Sequence, residues 1–362
     1  MRQTSNGVNV LMVSTDRTML KAGPTQARIA AYGKCFKRLD VIVFSARDHG
    51  YVHDTHIEGH VLIHSTNSCS RWLYGFDAWR LSRSLGHIDV VTVQDPFETG
   101  IVGFCIARLS KVPLHVQVHT DFLSPEFSVL SYLNYIRVML AGFVLHRAQR
   151  VRVVSERIRK SIGGQYHLQA PITVLPIFVD VEKFKAAGKD NLPQQFTKFR
   201  QKLLVVSRLE PEKNVELALR SFSEAAPLDA CLIIVGEGSE RESLEALALS
   251  LGVASRAFFE GIRDSASYYA LADLVLVTSR YEGYGMTIIE SLASGVPVLA
   301  TDVGIAREAG ATVTTEGKFA GVLADWFKSR SRAGVLKNYP YKDFNGYVRA
   351  YCEDIKACTK AG

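Results

Sequence analysis

"VLVTSRYEGYGMTIIESLASGVPVLATDVG", residues 275–304, is the stretch on which the fold class turns. The β-branched run closing at Ser279 predicts a strand, Gly283 and Gly285 a loop, Met286 to about Ser294 a helix, and the run from Pro297 a second strand. Strand, glycine loop, helix and strand make the repeating unit of a parallel sheet covered by helices. The two glycines let the backbone take positive φ and approach a ligand closely. The free N–H groups of the following first turn are anion donors. Glu282 precedes this loop and Glu290 lies in the first turns of the helix. Thr287-x-x-Glu290 also fits a capping box, and Glu282 fits an exposed loop acid.

The same alternation runs through the chain. Strands are predicted at 8–14, 40–45, 61–65, 89–94, 114–119, 150–155 and 172–176, then at 202–207, 230–236, 256–261, 273–279 and 297–302. Two doubly wound domains with a cleft between them follow: residues 1–180, a polar linker at 181–200, and residues 201–335, with 336–362 forming a C-terminal helix that packs back on the first domain. A length of 362 residues suits two domains rather than one. Apolar residues at 47% and charged residues at 22% exclude a disordered chain. The longest apolar run, 129–145, is interrupted by Asn134 and Arg137 and is too short to span a bilayer. The N-terminus reads straight into a strand without the pattern of a signal peptide, so a cytoplasmic location is expected. Six scattered cysteines without a C-x-x-C pair read as reduced thiols, not a zinc site.

Charge is uneven. Residues 1–180 hold 20 Lys and Arg against 13 Asp and Glu, and the rest 23 against 23, so the net +7 belongs to the first half. Within it, Arg147, Arg150, Arg152, Arg157, Arg159 and Lys160 follow an apolar, aromatic stretch, and either border an ordinary strand or face an anionic membrane surface. No nucleic-acid-binding motif is present.

In "VVSRLEPEKNVELALRSF" (205–222) a strand is expected to end at Ser207 and a helix to start near Lys213. Arg208 and Lys213 at a helix start oppose its dipole by ~0.3–1 kcal/mol, a penalty that a bound anion would reverse. The other reading makes them solvated charges partnered by Glu210 and Glu212. Carboxylates accept from sugar and ribose hydroxyls, so Glu282 and Glu290 beside backbone phosphate donors describe a nucleotide-sugar site.

These motifs carry a resemblance. Glu282-x7-Glu290 with the intervening "GYGM", the following "SLASGVPVLATDVG" and Glu308 resembles the retaining glycosyltransferases of family 4, which have the GT-B fold of two facing Rossmann-like domains. "VVSRLEPEKN" (205–214), "IIVGEGSERESLEALA" (233–248), "FFEGIRDSASYYALADLVLVTS" (258–279) and "VLPIFVDVEKF" (174–184) occur in family order. The resemblance implies that Arg208 and Lys213 neutralise a diphosphate leaving group, that Glu282 binds the transferred sugar and that Glu290 binds the ribose. It further implies that backbone amides of Gly283, Tyr284, Gly285, Met286 and Thr287 contact sugar and phosphate, and that Gly261 and Ile262 meet the base. His119, closing "VQVHTDF" (116–122), would face the donor sugar, although a lone histidine is more often structural. Asp121 and Gly23 would border the acceptor, but "STDRTMLKAGPTQAR" (14–28) has one glycine where the family has a glycine-rich loop.

The expected reaction is front-face transfer with retention, from a UDP- or GDP-sugar to a glycan or lipid-linked acceptor at the cytoplasmic membrane face. With no D-x-D motif placed after a strand, neither metal nor cofactor is expected. A GT-B epimerase, a phosphorylase or a catalytically degenerate binding protein are the alternatives. A dinucleotide dehydrogenase is excluded by the lack of G-x-G-x-x-G after the first strand.

Overall fold

A computed structural model describes residues 7–51, 54–57, 60–186, 188, 194–329 and 333–360. Its strands are β1 (Asn9–Ser14), β2 (Arg38–Val43), β3 (Asp54–Ile57), β4 (Val61–Ser65), β5 (Val90–Val93), β6 (Leu114–Val118), β7 (Arg150–Val153), β8 (Ile172–Val174), β9 (Gln201–Val206), β10 (Ala230–Val235), β11 (Ala257–Gly261), β12 (Leu274–Val277), β13 (Val298–Thr301) and β14 (Thr312–Thr314). They form two α/β units, each with its own sheet.

Unit 1 comprises residues 1–123, 131–176 and 341–362, and its sheet runs β3-β4-β2-β1-β5-β6-β7-β8. All pairs are parallel except β3 with β4. Unit 2 comprises 124–130 and 177–340, with a wholly parallel sheet in the order β11-β10-β9-β12-β13-β14. Its strands β10, β12 and β13 are buried at every position, as strands covered on both faces are. Leu203, Val205, Leu232, Ile234, Leu274 and Leu276 point into one core, closed by Leu219 and Phe222 of the helix Val215–Ala225. The order reverses between β1 and β5 in unit 1 and between β9 and β12 in unit 2. Chains leaving adjacent strands at such a switch point diverge and leave a crevice at their carboxyl ends.

Several boundaries differ from the sequence reading. Strands β3 and β14 have no apolar run to announce them, being short edge strands with exposed or half-buried residues. The polar stretch 181–200 contains the helix Val181–Lys185, capped by Asp180, and its described residues count with unit 2; residues 187 and 189–193 lie outside the described set. Residues 124–130, read as part of the first domain, also belong to unit 2, where the Phe127 ring lies 5.5 Å from that of Tyr281. The apolar run 129–145 is broken at Ser131, whose side chain caps the helix Tyr132–Leu145 by accepting from the Asn134 N–H. Among the described residues no helix is long and apolar enough to cross a membrane, and all six cysteines are free.

Candidate active site

The switch point of unit 2 gathers the chemistry. The connection leaving β9 carries Arg208 and Lys213, and the one leaving β12 carries Glu282. Lys213 is the last residue of a 3₁₀ turn, Pro211–Lys213, not the first of a helix as expected. Asn214, at φ 48°, then turns the chain into the helix Val215–Ala225. That turn aims Lys213 across the switch point, where its Nζ donates to Glu282 Oε1 at 2.6 Å. Glu282 also accepts from Ser279 Oγ at 2.8 Å. The two charged side chains are only 15% and 19% exposed, so the pair is largely shielded from water. Arg208 is 69% exposed and pairs with Glu212 at 2.7 Å, leaving most of its guanidinium donors unused.

Close backbone packing fixes the Arg208 connection. Gly236 has φ +145°, and a Cβ there would stand 1.8 Å from Ser207 O; one on Gly238 would stand 2.2 Å from Leu209 O. The Leu209 N–H donates to Glu237 O and the Glu240 N–H to Leu209 O, both at 2.9 Å. Ser239 donates to Glu210 through its N–H and Oγ, which holds the Glu210 carboxyl below its ordinary range. Glu210 is thus occupied by Ser239, and Glu212 is the partner of Arg208. Ser207 Oγ, at the carboxyl end of β9, is enclosed without a hydrogen-bond partner among the described residues.

Gly285, at φ +96°, precedes the helix Met286–Ala293, which has no side-chain cap. The capping-box alternative for Thr287 and Glu290 therefore does not hold. Thr287 lies inside the helix and donates to Val206 O at 3.2 Å. Glu290 Oε2 accepts from the buried Tyr269 hydroxyl at 2.8 Å. Burial raises the Glu290 carboxyl above its ordinary pKa, against the lowering effect of that bond and of Lys183. Tyr284 is buried, Met286 is exposed, and Gly304 sits so near that a Cβ on it would stand 2.2 Å from Tyr284 O. At the end of β11, Gly261 has φ +70° and the Ile262 side chain is 79% exposed. Tyr269, Ser279, Gly236 and Phe127 escaped the sequence reading. Tyr269, Gly236 and Phe127 act through contacts distant in sequence, while Ser279 lies only three residues from Glu282 in a loop whose geometry no local pattern announces.

His119, Asp121 and Gly23 belong to unit 1. His119 follows β6; its Nε2 is enclosed without a partner among the described residues, and burial with the nearby Arg152 and Arg28 lowers its pKa to about 3. The ring is neutral at pH 7 and one nitrogen is unused. Asp121 is buried, and Gly23 precedes the helix Pro24–Gly33.

The basic run divides. Arg152 is buried inside unit 1, with its guanidinium 4.9 Å from the Tyr351 ring centroid and donating to Gln117 Oε1 at 2.7 Å and to Leu175 O at 3.1 Å. Arg150 pairs with Asp354 at 2.5 Å. Arg152 is an interior group, and Arg150, half-buried, is neutralised by Asp354, so neither offers a free charge to a membrane. From Gln117 the hydrogen bonds continue to Thr92 Oγ1, from Thr92 to His115 Nδ1 and from His115 Nε2 to Asp354, which belongs to the helix Phe344–Cys358. Burial lowers the His115 pKa, so its ring is neutral. Asp354 stays ionised despite burial, at about 2, because His115 and Arg150 donate to it. Arg147 stacks 3.6 Å from the Phe143 ring centroid, Arg159 pairs with Glu156 at 2.6 Å, Arg157 is half-buried and Lys160 is exposed. Exposed on the helix Tyr132–Leu145 are Tyr132, Leu133, Tyr135, Ile136, Met139 and Phe143.

Comparison with known proteins covers both units. Residues 30–183 match the model for Glycosyltransferase Family 4 and residues 189–323 that for Glycosyl transferases group 1. The chain is 28% identical to alpha-monoglucosyldiacylglycerol synthase of Streptococcus pneumoniae, over 59% of this chain and 52% of that protein. It is 29% identical to D-inositol 3-phosphate glycosyltransferase of Segniliparus rotundus, over 72% and 59%. The chain thus spans little more than half the length of these two relatives. Among solved structures, Anabaena HepE in complex with UDP-glucose aligns at a TM-score of 0.70 and 19% identity over 97% of each chain. Sucrose-phosphate synthase of Thermosynechococcus elongatus aligns at 0.73 and 16%, over 98% and 94%. The two parallel-sheet α/β units are those of the GT-B fold.

Proposed function

Because the chain belongs to glycosyltransferase family 4, we propose that it transfers a sugar, with retention and without a metal, from a nucleoside-diphosphate sugar to an acceptor hydroxyl. The observation that carries this reading is the pairing of Lys213 with Glu282 across the switch point of unit 2, beside Arg208 and the uncapped helix Met286–Ala293. A diphosphate is held by Arg208, Lys213 and the backbone N–H groups of Gly283 to Thr287. Lys213 then leaves Glu282, whose carboxylate accepts from the hydroxyls of the sugar. Glu290, steadied by Tyr269, accepts from the ribose hydroxyls, and the base lies against Gly261 and Ile262. A UDP-sugar is the first donor to test, since the neighbour HepE was solved with UDP-glucose.

In the transfer the acceptor oxygen bonds to the anomeric carbon as the bond from that carbon to the diphosphate oxygen breaks, with its electron pair going to the diphosphate. A diphosphate oxygen on the same face takes the acceptor proton. Arg208, Lys213 and the helix N-terminus offset the developing negative charge, and removing one such donor from an acyl-transfer site costs ~2.7–4 kcal/mol. His119 of unit 1, neutral with an unused Nε2, would act as a hydrogen-bonding group rather than as a cation for phosphate. The test is UDP release from UDP-sugars with a panel of glycan and lipid acceptors. Arg208→Ala should lower kcat by roughly 10²–10³-fold and EDTA should leave it unchanged. An activity abolished by EDTA and restored by a divalent cation would refute the metal-free scheme.

For location we propose a cytoplasmic protein that rests on the membrane through the helix Tyr132–Leu145. Its exposed aromatic and aliphatic side chains can enter the headgroup region. Arg147 and Lys160 remain available beside anionic lipid at ~1 kcal/mol per basic residue close to the surface. Sedimentation with phosphatidylglycerol vesicles should fall when Tyr132, Tyr135 and Met139 are changed to Ser. Unchanged sedimentation refutes this face.

A further inference from the structure

On the strands of unit 1, Arg38 of β2 pairs with Asp40 and Arg150 of β7 with Asp354. The carboxyl end of the same sheet carries three further cations, Arg17, Lys21 and Arg47. Strands β1, β2 and β4 are parallel, with Ser14 opposite Val43 and Val43 opposite Ser65, so the segments leaving them emerge side by side. Arg17 follows β1 in the 3₁₀ turn Arg17–Leu20, Lys21 ends that turn, and Arg47 follows β2 in the turn Arg47–His49. Contacts draw Arg17 and Lys21 towards the segment that carries Arg47. Arg17 lies 3.0 Å from His49 Nε2, the His49 ring is 6.0 Å from that of Tyr51, and Lys21 Nζ is 6.0 Å from the Tyr51 ring centroid.

Among the described residues none of these three cations is paired with a carboxylate. Asp16, the nearest acid in sequence to Arg17, is taken up by the N–H and hydroxyl of Thr18. Among the described residues Asp48 pairs with His49 alone, at 3.9 Å. The floor beneath them is built to hold its shape. Ser45 Oγ bonds to Ser65 Oγ and accepts from the Asn67 N–H at 3.1 Å. Thr66 donates to Ser45 O, and Asn67 Nδ2 donates to Tyr51 O at 2.8 Å. Arg47, exposed to solvent, is tied down through its Nε to Asn67 O at 3.3 Å. Exposed like charges repel unless an anion joins them, and guanidinium groups suit the oxygens of phosphates and carboxylates.

We propose that the acceptor substrate carries an anionic group, a phosphate ester or a carboxylate, held by Arg17, Lys21 and Arg47 at the carboxyl edge of the sheet of unit 1. This rests on the transferase reading and adds to it the chemical class of the acceptor. Charge thereby anchors the acceptor, and a neutral polyol of the same shape is a poor substrate.

The test uses the full-length protein saturated with UDP, into which inorganic phosphate is titrated while Tm is followed. Phosphate should raise Tm beyond the UDP value, and the variant R17Q/K21Q/R47Q should need at least about tenfold more phosphate while keeping its UDP shift. No added shift, or one that the triple variant retains in full, overturns the inference. A parent protein that does not respond to UDP strikes the donor reading instead, and the phosphate comparison is then decided without UDP. Glycerol 3-phosphate against glycerol, and phosphatidylglycerol against phosphatidylcholine vesicles, separate a soluble ester from a lipid headgroup as the source. If neither anionic member binds the parent protein better than the triple variant, the inference also fails.

Discussion

Replacing Glu282 by Ala is expected to tighten the binding of free UDP. In the ligand-free protein Lys213 Nζ is held by Glu282 at 2.6 Å. At an effective dielectric constant of ~20, two unit charges at that separation attract by about 6 kcal/mol. Side chains left only 15% and 19% exposed lose most of that to desolvation, which leaves a net ~1–2 kcal/mol. A diphosphate that takes Lys213 must forfeit this amount, and without a sugar nothing repays Glu282. Glu282→Ala frees the lysine, so the Kd for UDP should fall roughly 5–30-fold. Lys213→Ala removes a charge-assisted bond worth ~1.5–3 kcal/mol, and should raise it about 10–150-fold. The double variant should resemble Lys213→Ala, because Glu282 acts on UDP only through the lysine. Calorimetric titration of the four proteins measures each value. If Glu282→Ala weakens UDP as much as Lys213→Ala does, Glu282 binds the nucleotide itself and the exchange described here is wrong.

Glu290→Gln should stabilise the nucleotide-free protein yet weaken UDP. Because burial raises this carboxyl, its contribution to stability is full below the ordinary pKa of about 4.5 and is lost as pH rises through the higher folded value. The Tm advantage of the Gln variant should therefore grow from pH 4.5 towards neutrality, and a constant difference would refute it. Asp354→Asn has the opposite sign. The parent holds this carboxyl at about 2, so its stability is present above about 3.8 and lost as pH falls towards 2. The variant should be less stable by about 3 kcal/mol at pH 7 and show a flatter acid limb in Tm against pH. Gly236→Ala should cost about 3 kcal/mol or more, since its Cβ would overlap Ser207 O at a φ of +145°. A Tm and a UDP affinity both unchanged would contradict the close packing of the two connections.

The sheets were legible because β-branched runs bounded by glycine and polar residues have few other ways to bury themselves. Strand β10, ACLIIV, is buried at every position, and its run says so. The edge strand β3, DTHI, buries little and leaves no such mark. In the site, the spacing from Glu282 to Glu290 could be read, but which partner each carboxylate meets could not. Lys213 reaches Glu282 across 69 residues and Tyr269 reaches Glu290 across 21, contacts that depend on strand order rather than local periodicity. For Arg150 and Arg152 the reading that they border an ordinary strand holds, since both lie in β7, but their partners could not be read. Arg150 and Arg152 look like surface charges until the C-terminal helix supplies Asp354, Tyr347 and Tyr351.

That helix also sets the order in which the protein can be made. Unit 1 draws on residues 341–362, which are synthesised after all of 177–340. Until the helix Phe344–Cys358 has emerged, Asp354 is missing as the acceptor for His115 and Arg150, and Arg152 faces no tyrosine rings. The larger part of unit 2 is already in hand by then. A released chain truncated after residue 340 should hold a protease-resistant second unit beside a protease-sensitive first one, the reverse of the usual N-terminal-first order.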